Sequence, residues 1–257
     1  MSAPPAARRA TLSVVMIVLD SEATLERALD SVRWADEIVV LDGGSRDRTV
    51  AVAERCGARV YRRSFTDFAT QRNAALEHAR GDWILSLDAD ETVSPELARE
   101  IEEVLRAGAR WSAAEVPFKN FLADRWLRHG GLYPDYHLRL FRRGSGRFER
   151  PVHEVLRAEG SPARLRGCIE HRTYRDMADL HRKAERYAAL EARLAARSAT
   201  IDFVFLAKVP YRLVQVYVLR LGFLDGWLGL LHAVALSRYA WLVYRNVRSL
   251  RSGQPSS

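Results

Sequence analysis

The sequence predicts an α/β fold, a mostly parallel sheet flanked by helices, followed by a C-terminal helical extension. Three observations predict it. Apolar, β-branched runs alternate with amphipathic stretches from residue 12 to residue 110. Acidic residues stand directly after three of those runs. From Phe203 to Leu250 the chain is strongly apolar but punctuated by Lys208, Arg212, Arg220, Asp225, Arg238 and Arg245. Strand and helix alternating at this spacing means parallel strands joined by right-handed crossovers.

The elements follow in order. "LSVVMIV" (12–18) is a continuous β-branched run, as expected of a strand covered on both faces. In "SEATLERALDSV", Leu25, Ala28, Leu29 and Val32 recur at helical spacing, with Ser21 as N-cap. "EIVVL" (37–41) is the second strand and "RTVAVAERCG" a helix ended by Gly57. "ARVYR" is the third strand, and "FATQRNAALEHARG" a helix stopped at Gly81. "WILSL" (83–87) is the fourth, and "PELAREIEEVLRAG" a helix with Pro95 in its first turn. Beyond residue 110, "AAEVPF" and "YHLRLFRR" read as strands separated by the loop "KNFLADRWLRHGGLYPD". Residues 174–197 form one amphipathic helix. The division expected is a flexible N-terminus at 1–11, a sheet domain at 12–172, an amphipathic helical region at 173–250 and a tail at 251–257.

Composition narrows the function classes. The 257 residues carry a net charge of +8, so an anionic partner fits: nucleic acid, an anionic membrane or a phosphorylated substrate. The arginines are spread along the chain, and no RNP, helix-turn-helix or zinc-finger pattern is present, so nucleic acid is not the expected partner. Cys56 and Cys168 form no CxxC pair, which suits a reducing compartment. "MSAPPAARRA" has charge but no long apolar core, so no signal peptide is expected. From residue 201 onward, seven Lys or Arg residues stand against two Asp, a local net charge of +5. No charge-free stretch there is long enough to span a bilayer, while Trp227, Trp241 and several tyrosines alternate with arginines. The expectation is a membrane-associating extension in peripheral contact with an anionic surface. A helical hairpin packed on the sheet is the plainer reading.

In an open parallel sheet, ligands bind beyond the carboxyl ends of the strands. Asp20 and Glu22 follow the first strand, "LDGGSRDRT" the second and "LDADE" the fourth. Gly43 and Gly44 free the backbone to turn after Asp42, and Ser45, Asp47 and Thr49 suit helix capping. Asp88 and Asp90 point the same way from an extended chain, so they are either ordinary turn residues or the two sides of a cation site. A divalent metal, Mg or Mn, would relieve their repulsion and bridge to a diphosphate. Glu91 is a second ligand or the start of the next turn.

"VVMIVLDSEATLERALDSVRWADEIVVLDGGSRDRT", "FATQRNAALEHARGDWILSLDADE" and "PVHEVL" together resemble family 2 GT-A glycosyltransferases, most closely the bacterial lipopolysaccharide-core glucosyltransferases. The resemblance covers nearly the whole chain, including "HRTYRD" and "LGFLDG". It implies a GT-A, Rossmann-like sheet and a nucleotide-sugar donor whose base is held by strand one, Glu22 and Asp42. It implies that Gln71, Arg72 and Asn73 line the donor pocket, with the arginine near phosphate. Asp88 and Asp90 would be the DxD motif, with Asp90 nearest the metal. Inversion at the sugar needs a carboxylate to take the acceptor's proton. Glu154 is the candidate, with Asp135 as the alternative base. Two departures stand out. Asp20-Ser21-Glu22 replaces a common Asn-Glu, and Arg46 and Arg48 interrupt the usual small-residue loop.

The remaining residues read more plainly. His129, His137, His153 and His171 are not at zinc-ligand spacing. His153 either orients Glu154 or binds acceptor, and His171 reads as a buried structural hydrogen-bonding group. Trp126, Tyr133 and Tyr136 suit sugar stacking or loop anchoring. The expectation is transfer of a hexose, from UDP-glucose, onto a lipopolysaccharide-core or related lipid-linked glycan at the cytoplasmic face of the inner membrane. A polyprenyl phosphate or another surface glycan is the alternative acceptor. A nucleotidyltransferase is a remoter alternative, and would release pyrophosphate.

Overall fold

Alternation along the first strand sets the layers. The computed structural model describes residues 8–122, 124–150, 155–174 and 209–252, with 182, 184, 185, 187–189, 191 and 192. Its first half runs β1 (Leu12–Val18), α1 (Glu22–Asp30), β2 (Glu37–Asp42), α2 (Thr49–Arg55), β3 (Arg59–Arg62), α3 (Phe68–Leu76), β4 (Trp83–Ser86), β5 (Glu91–Val93) and α4 (Pro95–Ala107). Leu12, Val14, Met16 and Val18 of β1 pack on one face with Leu25 and Leu29 of α1, Val52 of α2 and Leu97 and Ile101 of α4. Val15 turns to the other face, where it joins Ala74 and Ala75 of α3. The period of two thus feeds two cores, which is why the strand reads as an unbroken apolar run.

The second half adds β6 (Ala113–Leu122), β7 (Arg125–Trp126), β8 (Asp135–Arg142), β9 (Gly146–Glu149), β10 (Val155–Ala158), β11 (Ala163–Arg164) and β12 (Ile169–Tyr174). The strand order is β3-β2-β1-β4-β8-β6-β12-β5. β1 pairs in parallel with β2 and β4, and β2 with β3. The mostly parallel sheet expected from the sequence holds for those four strands. Beyond them the sheet is mixed, because β4 pairs antiparallel with β8 and β5 antiparallel with β12. Among the described residues no crossover helix follows β6 or β8 to impose the parallel sense.

Backbone packing next to β4 is tight. The Gly81 N–H donates to Ser13 Oγ at 2.8 Å, and a Cβ at Gly81 would stand 2.6 Å from the Ser13 nitrogen. Only glycine fits there.

The chain divides into two compact units, one of residues 1–118 and 136–171, the other of 119–135 and 172–257. In the second, Leu122, Leu127 and Leu132 pack with Leu228 and Leu231 of α5 (Trp227–Ser252). The helix expected over 174–197 lies largely outside the described residues; those described between 182 and 192 are helical. No helix among the described residues is long and apolar enough to cross a membrane.

Candidate active site

Three acidic groups build the loop after β2. Asp42 ends the strand almost fully buried, and its carboxylate accepts from the N–H groups of Gly44 and Ser45 at 3.1 Å. That closes the turn the two glycines permit, with Gly44 at φ +107°. Glu22, the first residue of α1, accepts from the Arg48 N–H at 2.9 Å and lies 3.3 Å from Arg48 Nε. Its own N–H donates to Asp47. Asp20, held at φ 48°, accepts from the Arg46 N–H at 2.8 Å. The loop is therefore moulded by carboxylates, and the two departures noted in the sequence meet each other: the arginine loop is bound by Asp20 and Glu22.

At the tip of β4 the acids meet arginines. Asp88 Oδ1 accepts from Arg72 Nη2 at 2.8 Å, and Oδ2 stands 3.4 Å from Arg139 Nη2. The same Arg139 nitrogen donates to Glu91 Oε1 at 2.7 Å, while Glu91 Oε2 accepts from the Asp88 N–H at 2.9 Å. Burial alone would raise the Asp88 carboxyl, but the Arg72 and Arg139 guanidiniums outweigh it and hold the group well below the usual carboxylate range. Glu91 goes the other way. Burial, with the neighbouring Asp88 charge, exceeds the pull of Arg139 and pushes it up to about 7. Asp90 takes a different partner: His171 Nε2 of β12 lies 3.6 Å from Asp90 Oδ2. Burial works against charging His171, but the carboxylates of Asp90, Glu91 and Asp88 raise its pKa.

α3 supplies the wall. Gln71 is buried, its amide donates to the Arg63 carbonyl at 2.9 Å, and its Oε1 has no partner among the described residues. Arg72 lies over the Phe148 ring. Asn73 exchanges two bonds with the Phe148 backbone, at 2.8 and 2.9 Å, and so ties α3 to β9. Arg72, Asp88 and Arg139 line an open cleft of about 660 Å³ together with Tyr136, His137 and Val155.

A family model for glycosyl transferase family 2 matches residues 13–155, which contain all but the first residue of β1, β2 through β9, and all of these groups except His171. The chain belongs to glycosyl transferase family 2. Among curated relatives of this glycosyltransferase, the lipopolysaccharide core biosynthesis glycosyltransferase LpsC of Rhizobium meliloti is 29% identical over 249 residues, 90% of this chain and 89% of that protein. A TPR repeat-containing protein of Synechococcus elongatus is 42% identical over 154 residues, 58% of this chain and 36% of that one. An uncharacterized glycosyltransferase of Rickettsia bellii is 40% identical over 94 residues, 36% of this chain and 32% of that one. This chain thus spans about a third of the length of the last two. A crystal structure of glucosyl-3-phosphoglycerate synthase from Mycobacterium tuberculosis, with Mn2+, UDP and glucosyl-3-phosphoglycerate, is 28% identical over 44% of each chain at a TM-score of 0.36. That overlap is too limited to place a ligand here.

Of the residues the family resemblance singled out, Glu22, Asp42, Gln71, Arg72, Asn73, Asp88 and Asp90 all fall in the first unit. His153 and Glu154 lie outside the described residues. Asp135 opens β8, and Trp126 forms half of β7. Trp126 carries Arg128 and Lys119 over its ring, at 4.4 and 5.0 Å, with Tyr133 edge-on. That packing anchors the 119–135 segment. One group escaped the sequence reading: Arg139 sat unremarked in "YHLRLFRR", one arginine among many. His171, read as a buried structural hydrogen-bonding group, stands against Asp90. Only the pairing of β4 with β8 and of β5 with β12 brings them to the acids.

Proposed function

We propose that the chain is an inverting, metal-dependent hexosyltransferase that moves glucose from UDP-glucose onto a lipopolysaccharide-core sugar or a related lipid-linked glycan. It would work peripherally at the cytoplasmic face of the inner membrane. The observation that carries the reading is the acidic cluster at the carboxyl ends of β2 and β4, on either side of β1, in a member of this family. The acceptor class is supported by the similarity to LpsC, which extends well past residue 155.

Each residue has a role. Asp42, Glu22 and Asp20 fix the 42–48 loop in the shape that receives the nucleobase. Arg72 and Arg139 put two positive charges beside the cleft, where the donor's diphosphate would lie. Asp90 and His171 fit a divalent ion: a carboxylate and an imidazole, each about a quarter exposed, face one another from neighbouring elements. Among the described residues no cluster of three such ligands occurs; the ion's other ligands would come from diphosphate and water. Asp88 would serve through its arginines rather than as a ligand. Such an ion supplies charge against the developing diphosphate.

Glu154 would accept the proton of the acceptor hydroxyl as that oxygen bonds to the anomeric carbon. The carbon–phosphate-oxygen bond breaks with its electrons on UDP, and attack opposite the leaving group inverts the centre. The test is product analysis by mass spectrometry after incubation with UDP-glucose, Mn2+ and a truncated lipopolysaccharide-core acceptor. Addition of one hexose, lost in Glu154→Gln, is expected. Failure with every UDP-sugar, alongside pyrophosphate release from a nucleoside triphosphate, would overturn the reading.

A further inference from the structure

The second unit carries an apolar surface that none of the roles above employs. Val218, Leu219, Leu221, Phe223, Leu224 and Trp227 are all exposed, Leu219 to 66% and Trp227 to 62%. The backbone explains why they are not hidden. Helical residues 209–214 pass into a wider π-helical turn, Gln215–Leu219, then Leu221 takes a left-handed φ of 57° and a 3-10 turn follows over Gly222–Asp225. Three changes of period within eleven residues prevent the apolar side chains from sharing one buried stripe.

The shape is built rather than frayed. A Cβ at Gly222 would stand 2.5 Å from the Val216 carbonyl oxygen, so the turn closes only on glycine. From below, the Gly130 N–H donates to the Arg220 carbonyl at 2.8 Å. Asp225 accepts from the N–H groups of Arg128 and His129, at 3.0 and 2.8 Å, and lies 2.9 Å from His129 Nδ1. That aspartate is the only acid between residues 209 and 252, and its side chain is 9% exposed. The same stretch holds six arginines. Arg238 is paired with Glu185 at 3.4 Å, whereas Arg212 and Arg220 flank the apolar turn on an exposed surface.

An apolar knob beside arginines, with its one acid turned inward, complements an apolar layer beneath an anionic surface. We propose that residues 218–227 form a knob that enters the interfacial layer of an anionic lipid bilayer, with Arg212 and Arg220 at the headgroup phosphates. Aromatic and leucine side chains gain free energy at that depth, and arginine adds attraction to anionic lipid that salt screens. The helix that follows is not apolar enough to span, so the contact is a shallow one. The knob deepens the membrane placement proposed above and rests on that placement alone, whichever sugar is transferred.

The test is flotation of the full chain with vesicles of phosphatidylglycerol and phosphatidylcholine, and with vesicles of phosphatidylcholine alone. Binding to the anionic vesicles, weakened by salt, is expected. The double variant Leu219→Glu, Leu224→Glu should lower the bound fraction about tenfold or more, because two charges would have to enter the interface. Its melting temperature and UDP-sugar binding should not change. Brominated lipids should quench the native tryptophan emission, and Trp227→Phe should remove most of that quenching. Equal flotation of the double variant, no flotation of the native chain, or self-association in place of lipid binding would each overturn the knob. Transfer to a water-soluble acceptor is read separately: its absence with flotation intact would count against the reaction and leave the knob standing.

Discussion

Arg139 Nη2 donates to Glu91 Oε1 at 2.7 Å, from the first antiparallel strand of the sheet to the first residue after the acidic tip of β4. Glu91 is buried and Arg139 partly so, and the same guanidinium reaches Asp88. Three acids in four residues are held here by two arginines and a histidine from distant parts of the chain. The charge that relieves the first of the paired aspartates is guanidinium.

Removing that charge should be expensive. Arg139→Met leaves Glu91 buried without its partner and halves the compensation at Asp88, and it should cost roughly 3 kcal/mol of stability. Unfolding by guanidinium at about pH 8.5, where Glu91 is ionised in the native chain, measures it. A loss below about 1 kcal/mol would mean that the pair contributes little to the fold.

The tie between α3 and β9 makes a smaller claim. Asn73→Ala strands one N–H and one carbonyl of Phe148, at a cost of about 1–3 kcal/mol. Because Phe148 lies under the Arg72 guanidinium, the same variant should weaken UDP-sugar binding. Calorimetric titration checks that, and unchanged affinity would show that Arg72 does not depend on β9 for its position.

His232 on α5 predicts a pH dependence of stability. Burial pushes it down to about 4 from its ordinary 6.5, against the weaker pull of Asp225. Between those values the unfolded chain binds a proton that the folded chain refuses. The stability this group permits is therefore full above about pH 6.5 and falls as pH drops toward 4, by roughly 3 kcal/mol in all. Urea midpoints across that range should show a shallower fall in His232→Leu. Parallel pH curves for the two proteins would contradict it.

Much of this arrangement is legible in the sequence. β1, β2 and β4 announce themselves because strands buried on both faces must be continuous apolar runs, and Asp42 and Asp88 mark where two of those runs end. The three-residue β5 was hidden behind the acids, where Glu91 read as a ligand or a turn. The antiparallel half left no signal in local periodicity, since β6 and β8 look alike in either sense. His171 could not be connected to Asp90 by spacing at all. Their proximity is a product of the β5–β12 ladder, in which His171 stands opposite Glu91, next to Asp90.

Placement of a metal-bound UDP-sugar at Asp90 and His171 is the central claim, and thermal denaturation with UDP-glucose tests it most directly. Native protein, with and without Mn2+, is compared with Asp90→Ala. A ligand at about a hundred times its Kd should stabilise the native chain by about 2.7 kcal/mol. The account predicts that shift only when Mn2+ is present, and its loss in Asp90→Ala with the unliganded melting temperature preserved. An equal shift in chelator, or in Asp90→Ala, would contradict it.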